Sequence, residues 1–122
     1  MSTDPRHVLG QRGEALAAEH LERLGYAIVA RNHRTRWGEL DLVAHGHDAL
    51  VFCEVKTRRQ GPGSPFDAMR GPKQHQVRRM AAAFLNDVGD RPLAADVRFD
   101  AIGVVMDAHD RLVSLDHLEG AF

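Results

Sequence analysis

Apolar residues recur at helical spacing near the start of the chain, at Leu16, Ala17, Leu21 and Leu24, and Gly25 stands where a C-terminal cap belongs. The pattern predicts a helix over 12–24. Tyr26 to Ala30 reads as a short strand, and the polar, basic RNHRTRWG over 31–38 as a connection or ragged strand. From Glu39 onward the pattern alternates. Glu39, Asp41 and Val43 share one face, and Leu40, Leu42 and Ala44 the other. His45 to Asp48 supply turn residues around Gly46, and Leu50 to Thr57 is again strand-like, so 39–57 predicts a β-hairpin. Gln60 to Pro65 is a loop of Gly, Pro and Ser. Pro72 is placed as the first residue of a helix running to about Asn86, with Val77, Met80, Ala81, Phe84 and Leu85 as its apolar stripe. Gly89 to Pro92 interrupts the chain. Val97 to Met106 then reads as a long strand and Arg111 to Leu115 as a short one. The order predicts an α/β fold with a central sheet.

Composition narrows the class. The 122 residues, 43% hydrophobic and 27% charged, fit one globular domain with a sizeable core. The sole cysteine, Cys53, excludes an internal disulfide framework and a Cys-rich zinc site. It alternates with Val51 and Val55 on an apolar face, so a buried thiol is expected. The opening MSTDPRHVLGQRG has no apolar run that would serve as a signal peptide, and no stretch reaches the length of a membrane span. A soluble, cytoplasmic protein without membrane partners is expected.

Net charge is −1, which by itself suggests no polyanion partner. The distribution is uneven. Residues 31–79 carry 10 basic and 5 acidic side chains, and residues 80–122 carry 3 basic and 8 acidic. Such asymmetry often means only a solvated surface, although a basic face can attract phosphates.

The hairpin carries the candidate chemistry. Glu39 and Asp41 lie two apart on one strand, and Glu54 and Lys56 two apart on the next. With an even-numbered turn, Asp41 and Glu54 fall on the same side of the sheet, with Lys56 beside them. Carboxylates at that range disfavour joint ionisation unless a cation lies between them. Hard oxygen ligands suit Mg²⁺ or Mn²⁺ rather than zinc. An acidic strand face can equally be a solvent face, but Leu50 and Phe52 share the face of Glu54, so this one is not simply wet. Glu14 precedes Ala17, Ala18 and Leu21 at helical spacing and points partly toward the core. It either interacts with the positive helix N-terminus or completes an acidic pocket with Asp41 and Glu54.

Glu14 in a first helix, GELDLV, the E-x-K of VFCEVK and the Lys73-Gln74 opening of the second helix resemble the PD-(D/E)XK nuclease superfamily. More closely, RGEALAAEHLERLGY, ARNHRTRWGELDLVA, VFCEVKTRR, RFDAIGVV and HLEGAF resemble the YraN-type family of small bacterial proteins named as endonucleases, similar to archaeal Holliday-junction resolvases. The resemblance implies a restriction-endonuclease-like core, with a mixed sheet of four or five strands flanked by helices. It implies that Asp41 and Glu54 hold Mg²⁺ or Mn²⁺ with the Val55 carbonyl, and that Glu14 helps directly or through water. Lys56 would orient the attacking water or stabilise charge on the phosphate. Lys73 and Gln74 stand where such nucleases carry an active-site polar residue. Leu40 replaces the proline of the nominal motif.

Phosphodiester hydrolysis needs an activated water and neutralisation of charge on the phosphate, which a divalent ion and a lysine supply. Arg58, Arg59, Lys73, Arg78 and Arg79 are expected to hold flanking phosphates. Arg34, Arg36 and Trp37 precede the acidic strand and are placed to contact nucleic acid, although packing at the core or a sheet edge is the expectation favoured for Trp37. His45 and His47 flank Gly46, but no third ligand is near in sequence, so no zinc or nickel site is expected. The expected activity is a metal-dependent DNA endonuclease that prefers branched DNA, as a possible homodimer. The alternative is a non-catalytic nucleic-acid-binding or adaptor protein that retains the site.

Overall fold

The computed structural model describes residues 4–122; the first three residues of the opening stretch read above for a signal peptide lie outside them. Helix α1 spans Pro5–Arg23. It begins about two turns earlier than the apolar pattern predicts. Asp4 caps it by accepting from the Arg6 N–H at 2.9 Å, and Pro5 supplies a preset first residue. Those first turns bury almost nothing, so hydrophobic periodicity cannot reveal them. The helix buries Gly13, Ala17, Ala18 and Leu21 against the sheet.

Strands β1 (Ala27–Thr35), β2 (Gly38–Gly46) and β3 (Ala49–Arg59) form an antiparallel meander. The polar segment 31–38 is therefore mostly strand, turning at Arg36-Trp37. The Thr35 hydroxyl stabilises that turn, donating to the Gly38 carbonyl at 2.8 Å and accepting the Trp37 N–H at 3.1 Å. A short 3₁₀ turn, Pro65–Ala68, leads into helix α2 (Gly71–Asp87). Helix α2 buries Val77, Met80, Ala81 and Phe84, as its stripe predicts. Strand β4 (Asp96–Met106) returns parallel to β3, and β5 (Leu112–Leu118) pairs antiparallel with β4. The result is a five-stranded mixed sheet in the order β1-β2-β3-β4-β5. This is the α/β architecture expected from the sequence.

The two helices cover opposite faces. The α1 layer holds Leu42, Ala44, Val51, Cys53, Val55, Ile102 and Val104, and the α2 layer holds Val43, Leu50, Phe52 and Phe84. One expectation fails here. Leu40 packs in the α2 layer rather than with Leu42 and Ala44. The alternation breaks at Asp41, between those two leucines. Phe122 also folds back: its ring lies 5.7 Å from that of Phe99, and the Ala121 N–H donates to the Phe99 carbonyl at 2.8 Å. Among the described residues no helix is long and apolar enough to cross a membrane.

Candidate functional site

Strands β2 and β3 pair from Gly46↔Ala49 as far as Leu42↔Cys53, and there the paired register ends. Beyond it β2 stays with β1 down to Gly38, and β3 stays with β4 up to Arg59. The sheet therefore forks, with Asp41 on one prong and Glu54 on the other. Asp41 Oδ2 accepts the Val55 N–H at 2.8 Å, so a side chain satisfies a donor that the ladder no longer pairs. Because the sheet is open at this point, groups from both helical layers reach it.

From the α1 side comes Glu14. The neighbouring Gly13 explains how the helix gets close enough: a Cβ there would overlap the Thr57 side chain on β3. From the α2 side comes Lys73, whose Nζ lies 2.8 Å from Glu54 Oε1. Glu54 is 3% exposed, and its second oxygen, Oε2, has no hydrogen-bond partner. A buried, unpaired carboxylate oxygen is costly, and native proteins rarely keep one without a reason.

Electrostatics follow from this crowding. Burial pushes the Asp41 carboxyl up, as do the facing Glu54 and Glu14, against the pull of the Val55 N–H; it reaches about 8. Glu14 is raised as well, first by burial, then by Glu39 and Glu54. Burial likewise pushes the Cys53 thiol up, which suits a core residue rather than a nucleophile.

A residue that sequence reasoning missed completes the cluster. Asn32 sits within β1 at φ 50°, in the left-handed region. With its amide turned so that the nitrogen faces the acids, Nδ2 lies 3.0 Å from both Glu14 Oε1 and Glu39 Oε1. It thus bridges α1 and β2. Nothing in RNHRTRWG marks it, although asparagine is among the few residues that tolerate that backbone conformation.

The expected basic residues are dispersed. Lys56 is half-buried and has no ion-pair partner among the described residues; with Arg58 and Ser64 it borders a groove of about 390 Å³. Arg58 donates to the Pro62 carbonyl at 2.6 Å. Arg59 pairs with Asp110 at 2.6 Å, which neutralises its charge. Arg34 lies 3.5 Å from Glu39, and the Arg78 guanidinium stands 4.7 Å from the Phe99 ring centre. Arg36 and Arg79 both stand against Trp37. The Gln74 amide donates to the Met69 carbonyl at 3.2 Å and makes no hydrogen bond to the acids. His47 is occupied by the Leu24 carbonyl at 2.7 Å.

Among the described residues no group of three His, Cys, Asp or Glu side chains is placed to hold a metal ion. The donors on offer are the Asp41 and Glu54 carboxylates, the latter with its orphaned oxygen. Magnesium-like ions are often held through only one or two carboxylates, with water filling the remaining positions. The donor chemistry therefore fits such an ion, with Glu14 behind it.

A second polar cluster lies between α1 and β5. Buried Asp100 accepts from Arg98 Nε and Nη2 at 2.8 Å each, from His117 Nε2 at 2.7 Å and from the Gly120 N–H at 3.0 Å. His117 Nδ1 in turn lies 3.0 Å from His20 Nε2. Every neighbour of this carboxylate is a donor, so it stands as a structural clamp joining β4, β5 and the last turns of the chain.

Comparison with known proteins places the chain among close relatives. Residues 13–104, well over half the chain, match the model of a family described as Uncharacterised protein family UPF0102. A UPF0102 protein of Rhodococcus jostii is 44% identical over 115 residues, covering 93% of this chain and 95% of the relative. One from Chlorobium chlorochromatii is 43% identical over 119 residues, covering 93% and 90%. One from Pelotomaculum thermopropionicum is 40% identical over 120 residues, covering 98% of each. The matched span contains the positions of Glu14, Asp41, Glu54, Lys56 and Lys73, and the chain belongs to the UPF0102 family.

Proposed function

We propose that this protein is a Mg²⁺- or Mn²⁺-dependent DNA endonuclease of the PD-(D/E)XK type. The observation that carries the reading is the fork between β2 and β3. It gathers Asp41 and Glu54, leaves Glu54 Oε2 without a partner, and places an unpaired Lys56 two residues further along the same strand face.

Asp41 and Glu54 would hold the ion, with the Val55 carbonyl as a third donor. The ion would supply charge neutralisation at the phosphate and lower the pKa of a nearby water. The chain's own groups do the rest. The Val55 N–H fixes the Asp41 carboxylate. Asn32 holds Glu14 against it from the α1 side. Lys56 donates to the attacked phosphate or to the water beside it. Arg58, Arg78 and Arg79 hold the flanking backbone without reading sequence.

One observation favours the alternative, a nucleic-acid-binding protein that retains the site. The Lys73 ammonium already stands 2.8 Å from Glu54 and supplies a positive charge there. If that pair is permanent, no ion is needed. The two readings separate in one assay. Purified protein with Mn²⁺ is incubated with linear duplex, flap and four-way-junction DNA, alongside Glu54→Gln. Nicks made by wild type and absent from Glu54→Gln support the nuclease; tight binding without nicks in either supports the binder.

A branched substrate has symmetry-related strands, and a two-fold dimer would present one site to each. Strand β5 is an open sheet edge with Leu112, Val113 and Leu118 about half exposed, and it is the edge through which we propose that two copies pair. Phe122 does not contribute, because it covers the α2 layer of its own chain. Sedimentation at micromolar concentration that returns only monomer, with and without junction DNA, would remove the dimer.

A further inference from the structure

Trp37 is the only tryptophan in the chain. It stands at the turn between β1 and β2, outside the core and 39% exposed. Its backbone is nonetheless held firmly. The Trp37 N–H donates to Thr35 Oγ1 at 3.1 Å, and its carbonyl accepts from Gln76 Nε2 of α2 at 2.7 Å. A large aromatic ring is thus fixed at a turn with a substantial part of its surface open to solvent.

Its surroundings have a definite chemistry. The Arg36 and Arg79 guanidinium carbons lie 4.8 and 4.9 Å from the ring centre. Neither has an ion-pair partner among the described residues, whereas half of the other arginines do. Between β1–β2 and α2 runs a groove of about 430 Å³, lined by Trp37, Ala82, Ala83, Asn86 and the two arginines, with Asp87 at its rim. It therefore offers a stack of planar groups, the Trp37 ring with two guanidiniums over it, beside the methyl groups of Ala82 and Ala83. It adds the Asn86 amide and the Asp87 carboxylate, which share one hydrogen bond, and two guanidiniums that lie over the ring without an ion-pair partner among the described residues.

We propose that this groove binds an unpaired nucleotide of a DNA strand, its phosphates drawing Arg36 and Arg79 off the ring so that its base stacks on Trp37 in their place. The base has two apolar faces and a polar edge, which match the Trp37 ring, the alanine methyl groups and the Asn86–Asp87 rim. The flanking anions match the unpaired guanidiniums. Base–aromatic stacking of this kind tolerates any sequence. A paired base in a duplex cannot enter, because its faces are already stacked.

The proposal rests on the nucleic-acid reading of the fork and sharpens it. Trp37 precedes Asp41 by four residues, about 13 Å along an extended strand, or a few nucleotides. A substrate that fills both places has a single-stranded stretch beside the cut: an overhang, a flap or the arm of a branch.

The test uses the tryptophan as its own probe, in EDTA so that nothing is cut. A blunt duplex and the same duplex with a single-stranded DNA overhang are titrated against the full chain, following Trp37 emission and the anisotropy of labelled DNA. The expected result is saturable quenching by the overhang DNA and none by the blunt duplex. Trp37→Ala should weaken overhang binding by about fivefold or more, as loss of one stacked base does, and leave blunt-duplex binding unchanged. Trp37→Phe, which keeps a ring, should retain most of the affinity. Overhang DNA that fails to bind, or that binds without altering the emission, overturns the proposal. So does equal weakening of both DNAs by Trp37→Ala, or tighter quenching by an RNA overhang of the same sequence. Under Mn²⁺ the two readings part: cleavage without quenching sinks the pocket alone, and quenching without cleavage sinks the nuclease alone.

Discussion

Asp41 Oδ2 accepts the backbone N–H of Val55 at 2.8 Å, where the β2–β3 ladder has already ended. One carboxylate thus has two duties. It satisfies a donor that would otherwise be orphaned, and it faces Glu54 and Glu14 at a range that penalises its own charge.

The two duties can be separated by substitution. Asp41→Asn keeps an acceptor for the Val55 N–H and removes the repulsion, so the metal-free protein should melt at the same temperature as wild type or higher. Asp41→Ala leaves that N–H without its acceptor and should cost about 1–3 kcal/mol. Mn²⁺ should raise the melting temperature of wild type by mass action and leave Asp41→Asn almost unmoved. Equal metal-induced shifts in the two proteins would place the ion elsewhere.

The two lysines should behave in opposite ways. Lys73 pairs with a buried carboxylate. Lys73→Met leaves the Glu54 charge uncompensated and should destabilise by more than the ~1 kcal/mol of a surface pair. Lys56 has no such partner. Lys56→Ala should stay within about 0.5 kcal/mol of wild type in urea unfolding, as unpartnered surface changes usually do. It should nevertheless abolish cleavage. Comparable destabilisation by both substitutions would contradict the division.

Asn32 should trade stability for function. At φ 50° a glycine is at ease, so Asn32→Gly should not lower the melting temperature by more than a degree or two. It removes the bridge to Glu14 and Glu39 and should reduce cleavage at fixed Mn²⁺. Asn32→Asp adds a third carboxylate to two others and should be the worse variant in both respects. Full activity in Asn32→Gly would reduce Asn32 to a turn residue.

The second polar cluster makes a pH prediction. Burial pushes Asp100 up, but His117, Arg98 and the Gly120 N–H together outweigh it, and the carboxyl settles near 2. The group is depressed relative to an unfolded value of about 3.9. Its stabilisation is therefore fully present above pH 4 and is lost as pH falls through about 2, amounting to roughly 2–3 kcal/mol. Asp100→Asn should be less stable than wild type at pH 7, and the gap should narrow below pH 4. A gap that stays constant from pH 7 to pH 2.5 would show that the clamp does not depend on the charge.

Much of this was legible in the sequence, for particular reasons. The hairpin could be read because Leu42, Val51 and Cys53 alternate cleanly with Val43, Leu50 and Phe52. That alternation puts Asp41 and Glu54 together. Helix α2 could be read from Pro72 and a five-residue stripe, four of whose members are buried. The fork could not. Leu40 departs from the pattern only because the strands part at Asp41, and such a break leaves no trace in residue type. Asn32 and Trp37 were obscured for a related reason. Both lie in a polar stretch whose hydrophobic pattern does not distinguish a strand from a loop, and their roles depend on contacts with α1 and α2. Arg59 shows the reverse error, since it looks available until Asp110 is seen to pair with it.

The most direct measurement is nicking of labelled flap and four-way-junction DNA by the purified protein over a Mn²⁺ titration, with Asp41→Asn and Lys56→Ala in parallel. The account predicts metal-dependent nicks by wild type alone, while all three proteins bind the DNA within a few-fold of one another. Metal-independent nicks, or equal nicking by Lys56→Ala, would contradict it.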